Sequence, residues 1–288
     1  MANRDEVQPL NLLPSPEIYH THIEPTKGLL SLQLTEIIQY RELLFFLTWR
    51  DIKIRYKQTV LGFAWAVLQP FLTMVVFSLF FGTLAKIPSE GIPYPIFNYT
   101  ALLPWSFFEQ SMNISANSLV TNANMVTKVY FPRLFVPISS VLSGLVDFFI
   151  AFIVLIFMMV FYQITPGIGT LLLPLFLLLA FITAMGMSLW VSALNVKYRD
   201  VRYIVPFLSR FWFFATPITY SSTLLDEPWR TLYGLNPMVG VVEGFRWALL
   251  GTQPPESMIF ISAVVAILLL ISGLLYFNRN EKTFADVI

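Results

Sequence analysis

Along this chain, long apolar runs alternate with short stretches that hold most of the charge. Crossing hydrocarbon takes about 20 apolar residues rising about 1.5 Å each. Residues 61–84 supply such a run without a charge, and 134–162, 169–194 and 258–277 supply three more, each bounded by polar or Pro/Gly-rich sequence. Two weaker runs complete the pattern. Residues 99–120 carry Glu109, Asn113 and Asn117, and 204–220 carry Arg210, so these two are expected to face other helices or water and not lipid. Six spans put both termini on one side of the membrane.

The segment 40–57 (YRELLFFLTWRDIKIRYK) has helical periodicity but too much charge to span. At 100° per residue Phe45, Trp49, Ile52 and Tyr56 share one stripe, while Arg50, Asp51 and Lys57 lie away from it. That pattern predicts an amphipathic helix along the cytoplasmic membrane surface, with packing on protein as the competing reading. Residues 224–251 are amphipathic, broken by Pro228 and Pro237, and too short and polar to cross twice. They predict re-entrant or interfacial helices on the outer side, before the last span.

The distribution of Lys and Arg sets the orientation. On one side lie Arg41, Arg50, Lys53, Arg55, Lys57, Lys128, Arg133, Lys197, Arg199, Arg202, Arg279 and Lys282; the opposite loops hold Lys86, Arg230 and Arg246. The richer side is cytoplasmic under the positive-inside rule. The first thirty residues hold no apolar run of signal-peptide length, in agreement with a cytoplasmic N-terminus. The expected organisation is a cytoplasmic tail over 1–35, of which 1–20 reads as disordered, an amphipathic interface helix over 36–58, a six-span domain over 59–278 and a cytoplasmic tail over 279–288. The expected fold class is an all-α integral membrane protein with six transmembrane helices.

Composition agrees and narrows the chemistry. Hydrophobic residues make up 56% and charged residues 12%, against about 25% charged in soluble domains. Net charge is +1, which offers no nucleic-acid-binding surface, and zero cysteines exclude disulfides and thiol catalysis. No GxxxxGK[ST] occurs, so this chain does not cradle a nucleotide in a P-loop, and HExxH, GxSxG and a DxD pair are missing as well. No catalytic residue and no cofactor is therefore expected in this chain. His20 and His22 lack companion ligands for a metal. The sequons at Asn98 and Asn113 read as chance matches, the second lying within a span.

Ionisable groups inside spans carry a functional expectation by default. Glu109 and Asp147 fall near mid-depth of their spans, and Arg210 a couple of turns from the cytoplasmic end. Two readings fit them: a hydrated translocation path, or structural polar contacts between helices. Aromatic residues reach 16% of the chain, and sugar rings stack their C–H faces on such side chains. Two readings again fit: ordinary lipid-facing, core-packed or interfacial aromatics, or a pore lining in which Trp105, Phe108 and Tyr220 join Glu109, Asp147 and Arg210 as candidate pathway residues.

The loop 121–133 (TNANMVTKVYFPR) follows a span that ends inside and carries Met125, Val126, Val129, Tyr130 and Phe131 with few charges. An apolar patch facing water wants a partner. Met125 and Val129 recur at helical spacing, and Pro132 stops a short helix before the next span. The competing reading is an interfacial loop held by lipid headgroups through Lys128 and Arg133.

Taken in order, several stretches resemble the permeases of type 2 ABC exporters for polysaccharides. They are RELLFFLTWRDIKIRYKQTVLGFAWAVLQP at 41–70, LLPWSFF at 102–108, KVYFPR at 128–133, KYRDVR at 197–202, FFATPITY at 213–220, LNPM at 235–238 and GFRWALLG at 244–251. The resemblance runs from about His22 to the C-terminus. It implies a six-span homodimer whose interface forms the channel for a polyprenyl-linked polysaccharide, O-antigen, capsule or teichoic acid. Two copies of a separate ATPase subunit would carry ATP and magnesium. It further implies a coupling helix within 121–133, with Asn124, Met125, Val126, Lys128, Val129, Tyr130, Phe131, Pro132 and Arg133 at the ATPase, and a second contact through Arg199 and Asp200. The main alternative, a polymerase or ligase of lipid-linked glycans, needs a positioned acid/base pair or an arginine cluster, and the outer side offers only Arg230 and Arg246 with scattered acids. An ion-driven secondary transporter would carry internal repeats, and none is visible.

Overall fold

The computed structural model describes residues 39–57 and 62–287. The expected N-terminal tail, with His20 and His22, lies outside the described residues.

Eleven α-helices occur among the described residues, with no strand. They are α1 (Arg41–Lys57), α2 (Gly62–Phe77, continued by a π-helical stretch Ser78–Leu84), α3 (Tyr94–Thr121), α4 (Ala123–Lys128), α5 (Phe135–Phe161), α6 (Leu173–Lys197), α7 (Val201–Phe214), α8 (Trp229–Tyr233), α9 (Pro237–Leu250), α10 (Glu256–Glu281) and α11 (Phe284–Val287). Four helical stretches are long and apolar enough to cross a membrane: Ala64–Leu84, Phe135–Phe161, Ile168–Lys197 and Glu256–Glu281. They correspond to the four strong runs of the sequence.

The two weaker runs behave differently from these and from each other. Helix α3 has 28 residues, about 42 Å of helix, which exceeds the hydrocarbon thickness. It is the hub of the bundle, packed against α2, α5, α6, α7 and α9. Its buried positions include Asn98, Thr100, Ser111 and Ser115, side chains that a lipid-facing helix would not carry. The run 204–220 is not one helix. Helix α7 stops at Phe214 after 14 residues, about 21 Å, because Pro217 bars the residue before it from helical geometry. The chain then continues without regular structure to Ser221.

One side chain ties down three carbonyls of that irregular stretch. Arg246 of α9 is fully buried. It donates to the carbonyls of Phe97 (3.3 Å), Pro217 (2.6 Å), Ile218 (2.7 Å) and Tyr220 (3.0 Å), and to Glu243 at 3.2 Å. Its guanidinium also lies 3.7 Å from the Phe97 ring centroid. Glu243 accepts from the backbone N–H of Ser222 at 3.1 Å. Non-helical backbone away from water survives only where protein satisfies it, and here the Arg246–Glu243 pair does so. Helix α9 itself starts at Asn236, whose side chain caps Met238 N–H at 3.1 Å, and ends at Gly251 in the left-handed region (φ 70°).

Helices α6 and α10 touch backbone to backbone. A Cβ on Gly273 would sit 2.6 Å from the Gly186 carbonyl oxygen, so neither position has room for a side chain. Beside them Trp190 stacks on Tyr276 at 4.3 Å and donates to Ser272 at 3.1 Å.

Candidate functional site

Helix α3 runs antiparallel to α7 and its extension. Ser209 donates to Glu109 at 3.3 Å, Phe213 meets Trp105 with ring centroids 5.7 Å apart, and Tyr94 donates to the Thr219 carbonyl at 2.7 Å. This register puts Arg210, which is exposed, at the level of Glu109.

A polar stripe runs down α3 at helical spacing: Ser106, Glu109 and Gln110, Asn113, Asn117. It opens into a cavity of about 220 Å³ between α2, α3 and α5. Trp65 and Gln69 of α2 form one wall, Phe107, Glu109, Gln110 and Asn113 of α3 the second, and Asp147 of α5 the third. The structure thus brings Glu109 and Asp147 into one cavity. The pairing was not visible in sequence, since the two lie on different helices, and Gln69, the lone amide in an apolar run, was the missed signal.

Asp147 lies near the middle of the apolar stretch Phe135–Phe161. The large exposed apolar side chains of α5 begin at Phe149 and continue through Ile153, Ile156, Phe157, Val160 and Phe161. Asp147 lies at the edge of that belt nearer Phe135. There it accepts from Arg55 and Tyr56 of α1, and Arg55 also donates to Ser143 at 3.2 Å. One turn earlier Ser139 donates to Asp51 at 2.9 Å. Helix α1 therefore runs beside the start of α5 in the same direction. Its expected stripe divides: Phe45 and Trp49 are exposed, Ile52 is half-buried, and Tyr56 turns to Asp147. Burial, followed by the hydrogen bond to Asp147, pushes the Tyr56 phenol above its ordinary pKa, so it remains the proton donor of the pair.

Trp105 and Phe108 are buried and do not line the cavity. Trp105 packs on Phe108 and Phe213, Phe108 on Trp212 and Phe213 on Phe77, with centroids 5.1–5.7 Å apart, which joins α2, α3 and α7. Tyr220 lies at the other end of the bundle, paired with Tyr233 at 2.6 Å. Burial and that contact raise the Tyr233 phenol.

The loop after α3 forms the short helix α4, and its apolar residues divide. Val126 and Phe131 are buried in the chain's own core, and Met125 is half-buried with its sulfur 3.9 Å from an Arg50 nitrogen. Asn124 and Lys128 are exposed, as are Val129 (57%) and Tyr130 (72%), so the outward apolar surface is Val129–Tyr130 and not Met125–Val129. Pro132 and Arg133 are half-buried. Arg133 ties the loop to the end of α10: its backbone N–H donates to the Glu281 carboxylate at 3.0 Å and its guanidinium to the Glu281 carbonyl. Beyond, Phe284 of α11 is buried edge-on to Phe277 at 5.2 Å, and α11 packs against α4. Arg199 and Asp200 are exposed in the turn between α6 and α7.

Long apolar helices packed around the polar stripe of α3 are the features of a polytopic membrane protein. The chain belongs to the ABC-2 type transporter family, whose membrane-domain model matches residues 42–250. It is 33% identical over 258 residues to an O-antigen export system permease protein RfbA of Myxococcus xanthus, covering 88% of this chain and 98% of the relative. An RfbA of Klebsiella pneumoniae is 29% identical over 86% of this chain and 95% of its own length. The polysialic acid transport protein KpsM of Escherichia coli is 24% identical over 81% of this chain and 91% of its own.

Proposed function

We infer that the chain is the permease subunit of an ABC-2 type O-antigen export system, moving a polyprenyl-linked polysaccharide out across the inner membrane. The observation that carries the reading is the extent of the similarity: 258 residues align with the Myxococcus RfbA permease, 88% of this chain and 98% of the relative. The missing P-loop agrees, since it assigns ATP and magnesium to a partner subunit.

Six crossings follow if α3 and α7 with its extension join the four apolar helices. The antiparallel register from Ser209–Glu109 to Thr219–Tyr94 supports the α7 crossing. Both termini then share the Lys/Arg-rich, cytoplasmic side. Two such chains pack about a two-fold axis, the simplest closed arrangement that covers polar helix faces and leaves a pathway on the axis. Two ATPase subunits dock on the loops that carry Val129 and Tyr130, and nucleotide-driven movement of those loops is passed to α3 and α5, between which they lie. The glycan passes along the Glu109 face of α3, and the chain is a conduit and not a catalyst.

The test is genetic and chemical together. In a host lacking this chain, lipid-linked O-antigen should accumulate on the cytoplasmic face, and export should return only when the chain is supplied with its ATPase partner. Normal surface O-antigen in the deletion strain would refute the assignment.

A further inference from the structure

The cavity between α2, α3 and α5 has a lining that selects among ligands. Gln69 and Gln110 make no side-chain hydrogen bond to the described residues, and Asn113 uses its amide N–H on the Glu109 carbonyl at 2.9 Å while its buried side-chain oxygen has no partner. A buried amide oxygen without a partner is destabilising, so the Asn113 oxygen, with the open amides of Gln69 and Gln110 beside it, points to a polar occupant. Trp65 exposes its indole on one wall and Phe107 lies on another.

The charges narrow the occupant further. Asp147 is already engaged by Arg55 and Tyr56, and Glu109 accepts from Ser209. Among the described residues no Lys or Arg lines the cavity. A phosphate or a carboxylate would meet the Glu109 carboxylate and an Asp147 whose cation is already engaged, an arrangement that like-charge repulsion disfavours. A bare metal ion fits no better, because among the described residues no group of three His, Asp or Glu side chains is placed to hold one. What remains is a neutral ligand with hydroxyls for the amides and C–H faces for the aromatic walls.

We propose that this cavity is a station for one uncharged sugar ring of the passing glycan, held by Gln69, Gln110 and Asn113 against Trp65. The proposal rests on the permease reading and deepens it. The glycan's sugars are recognised here, whereas its pyrophosphate is not.

The test uses the permease–ATPase complex in lipid vesicles, with ATP hydrolysis stimulated by the lipid-linked glycan. A short uncharged pyranose oligosaccharide without lipid should compete with that stimulation, and the same oligosaccharide oxidised to uronic acids should compete about tenfold less well. Gln110→Leu and Asn113→Leu should each raise the half-saturating glycan concentration about five- to tenfold while the plateau at saturation is kept. Gln69→Leu, at an exposed position that folding does not depend on, should do the same. Unchanged half-saturation in all three variants, or equal competition by the charged oligosaccharide, would mean that the cavity holds water only. A wild-type complex that no lipid-linked glycan stimulates would instead remove the permease reading itself.

Discussion

Arg55 near the end of α1 and Asp147 in α5 form an ion pair in which Tyr56 is the second donor to the same carboxylate. The pair fixes α1 to the bundle beside the sugar-sized cavity, while Arg50, five residues earlier, reaches Met125 in α4. One amphipathic helix thus touches both α4 and the cavity wall. Asp147→Ala should lower stability by about 1–3 kcal/mol, since the pair is only partly screened by solvent. The variant should also expose α1 to limited proteolysis; Asp147→Glu should restore part of the protection. Wild-type protease resistance in Asp147→Ala would show that α1 is held by other contacts.

The loop around α4 separates surface from core at single-residue resolution. Val129→Asp and Tyr130→Ala should weaken ATPase binding at least about tenfold, the loss expected when an apolar contact of about 1.4 kcal/mol or more is removed, and leave the permease melting temperature unchanged. Val126→Asp buries an unpaired carboxylate in the chain's own core and should lower the melting temperature instead. Pull-down and thermal unfolding on the same three variants distinguish the two outcomes.

The C-terminal end of the chain buttresses this loop. Replacing Phe284 with Ala removes a buried ring that packs edge-on against Phe277, a change worth about 3–5 kcal/mol in a well-packed core and less at a chain terminus. Hydrogen exchange should rise in 123–131 and leave α6 protected. Equal exchange in the loop with and without the ring would separate α11 from coupling.

The contact between α6 and α10 has no slack. Gly273→Val should destabilise the protein by about 1–3 kcal/mol or more, because the nearest obstacle is the Gly186 backbone and not a movable side chain. Gly251→Ala meets no neighbour and loses only the left-handed preference of glycine, so its unfolding midpoint should fall by less.

Topology can be read directly because the chain has no cysteine of its own. A single cysteine at Ser89 or Ser257 should react with an impermeant thiol reagent added outside intact cells, and one at Asn124 should not.

The four strong spans were legible because uninterrupted apolarity over about 20 residues has few other uses. Helix α3 was harder to read. Its polar residues, from Asn98 to Asn113, weaken the hydropathy signal for the same reason that they matter, which is that they are buried in the bundle or line a cavity. The break in α7 was written in Pro217, yet the device that makes it tolerable, Arg246 on four backbone carbonyls, joins residues far apart in sequence. Periodicity likewise placed Met125 and Val129 on one face of α4 and could not reveal that α1 already covers Met125. The cavity was illegible for a related reason: Gln69, Glu109 and Asp147 converge only once three helices are packed.

Transport itself is the most direct measure. The chain and its ATPase partner, reconstituted in sealed vesicles with the nucleotide sites facing outward, should move polyprenyl-linked O-antigen glycan from the outer face to the lumen. Movement should require hydrolysable ATP, and protection of the glycan from an added glycosidase would record it. Protection that develops equally without ATP, or none with it, would contradict the account.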